Sequence, residues 1–442
     1  MKFSPAQLAQ FRHGLLVWFD KRKRDLPWRR LRNAYATWIS EIMLQQTRVA
    51  VAVPYFERFI GRFPTVQELA NAPAEEVLRL WAGLGYYRRA RNLQRAAQEI
   101  VAQHGGEFPR QHASALSLPG VGPYTAAAVL SIAYSQPMAV LDGNVARVLA
   151  RLDAMRGDLR TPGHWRALQQ RADALVADQT PGAWNQAMME LGATVCTPRL
   201  PSCEQCPLAK WCMARKLNIT DKVPLKRTKP APLKIKIAAA VLLDLRGRTL
   251  LVKSGLATNG LVRAGSKIAG MNKGTPDREI SALFSNMWRF PSVPVRRNGR
   301  AELARHLREV FELDVNAAQF ERLPDSRHAV TFRQITLTSF LLRIGDLPSL
   351  SDSMRPHLTQ LSGFPISNAT RKIARSAQRL IACGTSCKAS GKEEWEGEIE
   401  DKYLTSKRPE SHERGREGHV RFAHNSKIVP LRSEWLSRRK VR

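Results

Sequence analysis

The fold of the N-terminal half is decided by the stretch Leu118-Pro119-Gly120-Val121-Gly122-Pro123-Tyr124-Thr125-Ala126, which joins two helical patterns. Two glycines one residue apart permit a tight turn with outward-facing amides, and Thr125 then opens an alanine-rich helix. Such a turn offers N–H donors and a helix N-terminus to a phosphate, although a plain connector between helices is the simpler interpretation. A dinucleotide-binding fold is not indicated, because no strand precedes the glycines and no third glycine follows.

The sequence on both sides of this turn predicts an all-α domain over residues 1–221. Helical patterns broken by proline and glycine run from Ser4 to about Ile219. Ser4 followed by Pro5 is typical of a helix start rather than of a secretory signal, so we expect an intracellular protein of the cytoplasm or nucleoid.

The remaining chain divides into four segments. Residues 222–232 are rich in proline and lysine and predict a basic linker. An α+β domain is expected over 233–350, with a hairpin between Ile237–Leu245 and Thr249–Val252 and a helix over Glu302–Phe311. Residues 351–382 predict a closing helical segment, and residues 383–442 a disordered tail.

The charge of the chain points to a polyanionic partner. The 442 residues carry 70 Lys+Arg against 38 Asp+Glu, a formal net charge of +32. Nucleic acid is the first expectation. We expect no membrane span, because no apolar run approaches the ~18 residues that a spanning helix needs.

A set of cysteines predicts a metal centre. Cys196, Cys203, Cys206 and Cys212 stand at spacings of six, two and five intervening residues. Thiolate ligands of this kind suit zinc or a [4Fe-4S] cluster, and the spacing leaves both open. Cys383 and Cys387 are interpreted as incidental free thiols.

Two carboxylates are candidates for acid–base chemistry. Glu41 lies at the edge of an apolar helical stripe, where burial would raise its pKa and favour a neutral acid. An exposed helix glutamate is the ordinary alternative. Asp142 follows an apolar run and precedes a predicted helix Val145–Leu152, so it is either an N-cap or an anion directed at a developing cation.

Taken together, these motifs resemble those of the MutY family of adenine DNA glycosylases. The resemblance runs over about residues 5–220. It is carried by Pro27-Trp28-Arg29, by the motif from Trp38 to Thr47, by Gly83-Leu84-Gly85-Tyr86-Tyr87, by Leu118 to Thr125, by Leu141-Asp142-Gly143-Asn144, by Asn185 to Gly192, and by the four cysteines.

The resemblance implies a helix-hairpin-helix glycosylase domain over residues 1–221, with a [4Fe-4S] cluster in the loop 196–212. It also implies a monomer acting on double-stranded DNA that contains adenine opposite 8-oxoguanine or guanine. Such an enzyme must flip the adenine out of the stack before the chemistry.

Residue roles are carried over in the same way. Glu41 would protonate adenine N7, and Asp142 would stabilise or trap the sugar cation with the help of Tyr124 and Asn144. The other implied DNA-contacting residues are Arg29, Gln186 and Glu190 near the flipped base, Gln46 and Tyr86 as wedges, and Gly120 and Gly122 in the hairpin.

Two alternatives are open. Endonuclease III is similar over the same region but is a lyase that needs an amine, and Tyr124 stands where its lysine would be. No lysine lies between Lys23 and Lys210, which favours a monofunctional hydrolase. The second alternative is a DNA-binding protein that keeps the scaffold without catalysis.

The C-terminal domain resembles the MutT, or Nudix, fold, which in this family reads the base opposite the adenine. We expect no pyrophosphohydrolase activity, because only Arg308–Leu313 faintly resembles a carboxylate-rich metal box. The family's Phe-Ser-His signature corresponds to Phe332, Arg333 and Gln334, an altered lesion-reading loop. These residues are either donors to the lesion or plain strand residues. No element is predicted for Asn259–Asp277.

Overall fold

A computed structural model describes residues 3–225, 231–253, 287–330, 332–350 and 352–386. The expectations for Asn259–Asp277, for Cys387 and for the tail beyond residue 386 lie outside these residues, as does Thr331. Residues Met1–Ala389 form one compact unit, to which the following description belongs.

The all-α prediction for the N-terminal half is confirmed. Ser4 caps the first helix in a reciprocal pair with Gln7, and Pro5 is its first residue. The helices are α1 Pro5–Arg22, α2 Pro27–Leu31, α3 Ala34–Leu44, α4 Val49–Arg62, α5 Val66–Asn71, α6 Ala74–Trp81, α7 Arg88–Gln103, α8 His112–Ser117, α9 Pro123–Tyr134, α10 Gly143–Leu152, α11 Pro162–Leu175, α12 Pro181–Thr194 and α13 Met213–Lys216.

These helices build two hydrophobic cores that share α9. Ala126, Val129 and Leu130 pack into the core formed by α2 to α9, while Ala127 and Ala128 pack into the core formed by α1 and α9 to α12. Small side chains allow this double contact, because they let helices approach from both sides. The chain therefore forms two helical lobes on either side of α9.

The glycine turn at residues 118–122 joins α8 to α9. Gly120 lies at φ +80°, and a Cβ there would stand 2.9 Å from Asn92 Cβ, so only glycine fits without rearrangement. Gly122 has φ −101° and is the N-cap of α9, which begins at Pro123 rather than at Thr125. The left-handed turn therefore depends on the first glycine alone.

The α+β prediction for the C-terminal domain is also confirmed. In the main sheet β1 Leu233–Leu243 pairs in parallel with β7 Arg333–Arg343 and antiparallel with β4 Ser292–Pro294. The described strands also include β2 Leu251–Lys253, β3 Trp288–Arg289, β5 Glu321–Arg322, β6 Ser326–Val330 and β8 Ser353–Met354. Helix α14 Gly299–Phe311 contains the predicted helix, and α15 Asn368–Ser386 closes the described chain.

Successive residues of β1 face opposite sides of this sheet. Ile237, Ala239 and Val241 pack with α15, whereas Ala238 and Ala240 pack with α14. The segment that precedes α15 is not helical throughout, because β8 lies within it and pairs with β2.

The predicted hairpin over residues 237–252 is wrong in its pairing. Only Leu243 and Thr249 form a bridge, after which β2 joins a second sheet with β3 and β8. Asp244 Oδ1 accepts hydrogen bonds from the amides of Arg246 and Arg248, so the turn closes on that carboxylate.

Among the described residues, none of the helices has the length and apolar character that crossing a membrane would require.

Candidate active site

A cavity of about 950 Å³ contains most of the predicted site residues. Its lining combines side chains from α2, α3, α9, α10 and α12, so both lobes contribute. The predicted residues that line it are Glu41, Asp142, Tyr124, Asn144, Arg29, Gln46, Gln186 and Glu190. Tyr86, Gly120 and Gly122 do not line it.

Glu41 is a buried acid, so the ordinary expectation of an exposed helix glutamate is wrong. Its exposed fraction is 6%, and every residue of α3 from Ala36 to Met43 is buried. Burial raises the pKa of Glu41 to about 7, and the nearby charge of Asp142 acts in the same direction. A carboxyl group with this pKa can carry a proton at neutral pH.

Tyr124 forms a hydrogen bond with Glu41, and its assistance to Asp142 stays a prediction. Its hydroxyl donates to Glu41 Oε2 at 2.6 Å and lies 3.2 Å from Met189 Sδ. Burial and the charges of Glu41 and Asp142 raise the pKa of Tyr124, so the phenol stays a donor.

Asp142 is the N-cap of α10, as the simpler of its two interpretations predicts. Oδ1 accepts from the amides of Asn144 at 2.9 Å and Val145 at 2.7 Å. Oδ2 accepts from the Asn144 side chain at 3.1 Å, so Asn144 does contact the aspartate. Burial raises the pKa of Asp142, and these donors oppose that rise. Its capping role and its place in the cavity are compatible.

Arg29 and Glu190 are paired with one another in the cavity, and their contact with a flipped base stays a prediction. Glu190 Oε2 accepts from Arg29 at 2.9 Å, and Oε1 accepts from Arg24 at 2.6 Å. Burial raises the pKa of Glu190, but these two arginines outweigh it and hold the pKa below its usual value. Gln186 Oε1 accepts from Arg29 at 3.1 Å and completes the group. Arg24 was not predicted, because an arginine near a helix end carries no distinguishing signal.

Arg147 connects the aspartate to the cysteine segment. Its guanidinium donates to Asn144 Oδ1 at 2.9 Å, to Gly192 O at 2.8 Å and to Cys196 O at 2.8 Å. The orientation of Asn144 therefore depends on the backbone that leads into the cysteines.

The four cysteines lie in one neighbourhood at the end of the helical domain. All are half-buried, and Cys203–Gln205 and Ala209–Trp211 are single turns of 3₁₀ helix between them. Burial raises the pKa of Cys206 to about 12, and the three other cysteines act in the same direction. Within the described residues, no three acidic, histidine or cysteine side chains stand close enough to hold a single ion.

The four thiols suit a metal–sulfur cluster rather than a single ion. In such a cluster each cysteine binds a different iron atom, so the four sulfurs need not converge on one point. Arg151 Nη1 also donates to Cys196 Sγ at 3.3 Å, a contact that a thiolate would strengthen.

The predicted wedge residues lie in two loops with the same unusual backbone. Gln46 follows α3 at φ +57°, and Tyr86 precedes α7 at φ +50°. Both side chains are exposed, and Tyr86 is 38% exposed. Asn368, the first residue of α15, donates to Gly83 O at 3.3 Å, so the C-terminal domain contacts the Tyr86 loop.

The predicted lesion-reading residues lie at the tip of the β6–β7 hairpin. Val330 pairs with Arg333, and Ala329 pairs with Gln334, so both altered positions are strand residues. Phe332 is 47% exposed, and the Arg333 guanidinium lies 4.2 Å from the centre of its ring. This tip presents an aromatic face and a cation.

Residues 39–171 match the family described as "HhH-GPD superfamily base excision DNA repair protein". The adenine DNA glycosylase of Homo sapiens is 50% identical over 219 residues, which cover 48% of this chain and 40% of that protein. The Arabidopsis thaliana adenine DNA glycosylase is 35% identical over 359 residues, 71% of this chain and 53% of that protein. The Buchnera aphidicola (Acyrthosiphon pisum) adenine DNA glycosylase is 40% identical over 220 residues, 50% of this chain and 63% of that protein. The chain thus matches less than two thirds of the length of each of these relatives.

Proposed function

We propose that this chain is a monofunctional adenine DNA glycosylase, a proposal supported by the match of residues 39–171 to the HhH-GPD superfamily of base excision DNA repair proteins and by the adenine DNA glycosylases to which the chain is similar. Its substrate is adenine opposite 8-oxoguanine, or opposite guanine, in duplex DNA. The curated relatives and the cavity chemistry support this proposal. A single-turnover assay on a labelled duplex with adenine opposite 8-oxoguanine tests the proposal, and a wild-type protein that releases no adenine would refute it.

The observation that carries the proposal is the pair of carboxylates in one cavity. Glu41 is buried with a pKa near 7, while Asp142 accepts three hydrogen bonds that favour its ionised form. Cleavage of a glycosidic bond needs such a division of roles, with a neutral acid for the leaving group and an anion for the sugar cation.

In this mechanism Glu41 donates its proton to N7 of the flipped adenine. The bond between the sugar C1′ and adenine N9 then breaks with its electron pair leaving on the base. The Asp142 carboxylate stabilises the oxocarbenium-like sugar, or traps it covalently, and water adds to C1′. The proton that water loses restores the protonated form of Glu41.

The neighbours of the two carboxylates hold them for these roles. Tyr124 donates to Oε2 of Glu41 and leaves Oε1 to face the base. Asn144 and the α10 amides fix the Asp142 carboxylate at a helix N-terminus. Arg29, Glu190 and Gln186 line the same cavity as a prearranged polar group against which an adenine edge can pair.

The rate of adenine release should fall above about pH 7, because Glu41 is the required proton donor and its pKa is raised to about 7. Each further pH unit then costs about tenfold in the single-turnover rate. At low pH the rate should fall again as Asp142 is protonated, which gives a bell-shaped profile. A profile that stays flat from about pH 6 to about pH 9 would contradict the assignment of Glu41.

We further propose that Cys196, Cys203, Cys206 and Cys212 hold a [4Fe-4S] cluster. These four thiolates would hold the group, which would tie together the segment whose backbone accepts hydrogen bonds from Arg147 at Cys196 O and from Arg151 at Thr197 O. Iron and sulfide analysis of anaerobically purified protein should give about four of each per chain. Stoichiometric zinc without visible absorbance would refute the cluster.

The C-terminal domain is proposed to read the base opposite the adenine through the β6–β7 tip. The exposed ring of Phe332 offers a stacking surface, and Gln334 offers an amide that can donate to the lesion. Because serine and histidine of the family signature are replaced here, the preference for 8-oxoguanine over guanine is expected to be weaker than the signature implies.

A further inference from the structure

Arg89 links the two loops that carry Gln46 and Tyr86. It is the second residue of α7, and its Nη1 donates to the carbonyls of Ile42 at 2.7 Å, Met43 at 3.0 Å and Gln45 at 2.6 Å. These carbonyls are at the carboxyl end of α3, where helix geometry leaves them without intrahelical donors. Nη1 of Arg89 therefore caps the C-terminus of α3, the helix that carries Glu41.

The other terminal nitrogen of Arg89 reaches the second loop. Nη2 lies 3.4 Å from Leu84 O, 3.3 Å from Gly85 O and 3.4 Å from Thr47 Oγ1. The guanidinium is also 5.4 Å from the centres of the Trp81 and Tyr86 rings. A single planar group thus contacts both loops at once.

The electrostatic setting of Arg89 is unusual for a cation. Burial lowers the pKa of Arg89 to about 10, which still leaves it protonated at neutral pH. Its hydrogen-bond partners are carbonyls and one hydroxyl rather than carboxylates. A cation at a helix C-terminus is stabilised by the partial negative charge of the free carbonyls, so the site holds the guanidinium without an acid.

The backbone of both loops needs such support. Gln46 and Tyr86 are non-glycine residues in the left-handed region, at φ +57° and +50°. This conformation is disfavoured for L-residues and persists where the surrounding structure fixes it. The bonds from Arg89 go to Gln45 O and Gly85 O, the carbonyls immediately before these two residues.

We propose that Arg89 is a positioning residue that holds Gln46 and Tyr86 in the geometry in which they enter the duplex and unstack the adenine. This inference rests on the proposed function, since it concerns the wedge residues of that reaction. Arg89 itself is not expected to contact the base or the sugar. It acts on base flipping, whereas Glu41 and Asp142 act on bond cleavage.

A lysine cannot replace Arg89. The acceptors lie on two sides of a planar fork, and one ammonium group cannot bond the α3 carbonyls and the Gly85 carbonyl together. Arg89→Lys should therefore retain the charge and lose the link. Arg89→Met should lose both while keeping much of the apolar stem.

The test uses the full chain and a duplex with 2-aminopurine opposite 8-oxoguanine, whose fluorescence rises when the base is unstacked. Wild type should unstack the probe. Arg89→Met should lower the unstacking rate and the single-turnover rate on adenine by roughly 10- to 100-fold, and Arg89→Lys should fall between. Arg95→Met removes an exposed arginine from the same helix and is the matched control, expected to behave as wild type.

A second duplex separates a defect in positioning the wedge residues from a general loss of enzyme activity. When the target adenine lies opposite an abasic site, less unstacking is needed, so the defect of Arg89→Met should shrink there. The pH profile of the remaining activity should keep the wild-type shape. An equal loss on both duplexes, or a changed profile, would overturn the proposal.

Folding and function failures are distinguishable in this design. Melting curves identify a variant that does not fold. If Arg89→Met does not fold, the rates of Arg89→Lys are used to test the inference instead. If wild type releases no adenine, the proposed function fails. If wild type is active and both folded variants match it, the inference about Arg89 fails alone.

Discussion

Replacement of Glu41 by glutamine is expected to reduce adenine release by roughly 10²- to 10⁴-fold, the range that general acid catalysis supplies. Glutamine has the same shape, and its amide oxygen can still accept from Tyr124 in place of Glu41 Oε2, but it has no acidic proton to give to N7. Affinity for the mispair should be retained, because the substitution removes no contact to phosphate. The measurement is a single-turnover rate together with a binding curve on the same duplex.

The glutamine variant should also be as stable as wild type at neutral pH. Burial raises the pKa of Glu41 from its usual value of 4.5 to about 7 because the folded state disfavours the charge. The free energy of unfolding of the wild-type protein therefore decreases as the pH rises between these two values. Glutamine avoids that charge, so its melting temperature should not fall. Glu57→Gln alters an exposed glutamate on α4 and is the matched control. Adenine release that survives Glu41→Gln unchanged would remove Glu41 from the mechanism.

The second large effect is expected at Asp142, where asparagine separates capping from catalysis. Asparagine is as good an N-cap as aspartate, so Asp142→Asn should keep α10 and change stability little. It removes the anion that faces the sugar cation, and the rate should fall by roughly 10²- to 10³-fold or more. Asp142→Ala loses the cap as well, at about 1 kcal/mol of stability.

The control for this pair is Asp173→Asn, an exposed aspartate on α11 that accepts from Gln169. A stable Asp142→Asn protein with the wild-type rate would show that Asp142 is only a cap. A loss of rate that tracks the melting temperature through the asparagine and alanine variants would have the same meaning.

Much of the helical domain could be predicted from sequence, because local signals specify it. Ser4, Pro5 and Gln7 define a capping box without reference to the rest of the chain, and the glycine turn between α8 and α9 follows from the need for a left-handed residue at Gly120. These features depend on neighbours in sequence.

The partnerships inside the cavity could not be predicted in the same way. The hydrogen bond from Tyr124 to Glu41 joins residues 83 positions apart, and the pair of Arg24 with Glu190 spans 166 positions. Whether Glu41 is buried depends on how α3 packs against α9, which no single-helix pattern contains. The contacts of Arg89 could not be predicted for the same reason, because its acceptors are the Thr47 hydroxyl and backbone carbonyls of two separate loops.

The C-terminal sheet shows that two apolar runs that are neighbours in the sequence need not pair with each other. The two apolar runs around Arg246-Gly247-Arg248 look like a hairpin, yet their main partners are β7 and β4 for the first run and β3 and β8 for the second. The parallel pairing of β1 with β7 joins segments about a hundred residues apart, and nothing local specifies it.

The proposed glycosylase activity is best tested by a single-turnover assay on labelled duplexes with adenine opposite 8-oxoguanine and opposite guanine. Wild type should release adenine from both, faster opposite 8-oxoguanine, and leave an abasic strand that breaks only after alkali. Borohydride should trap no protein on the DNA, because Tyr124 stands where a lyase of similar sequence would carry its lysine. Tight binding without adenine release, or strand cleavage with a trapped complex, would contradict it.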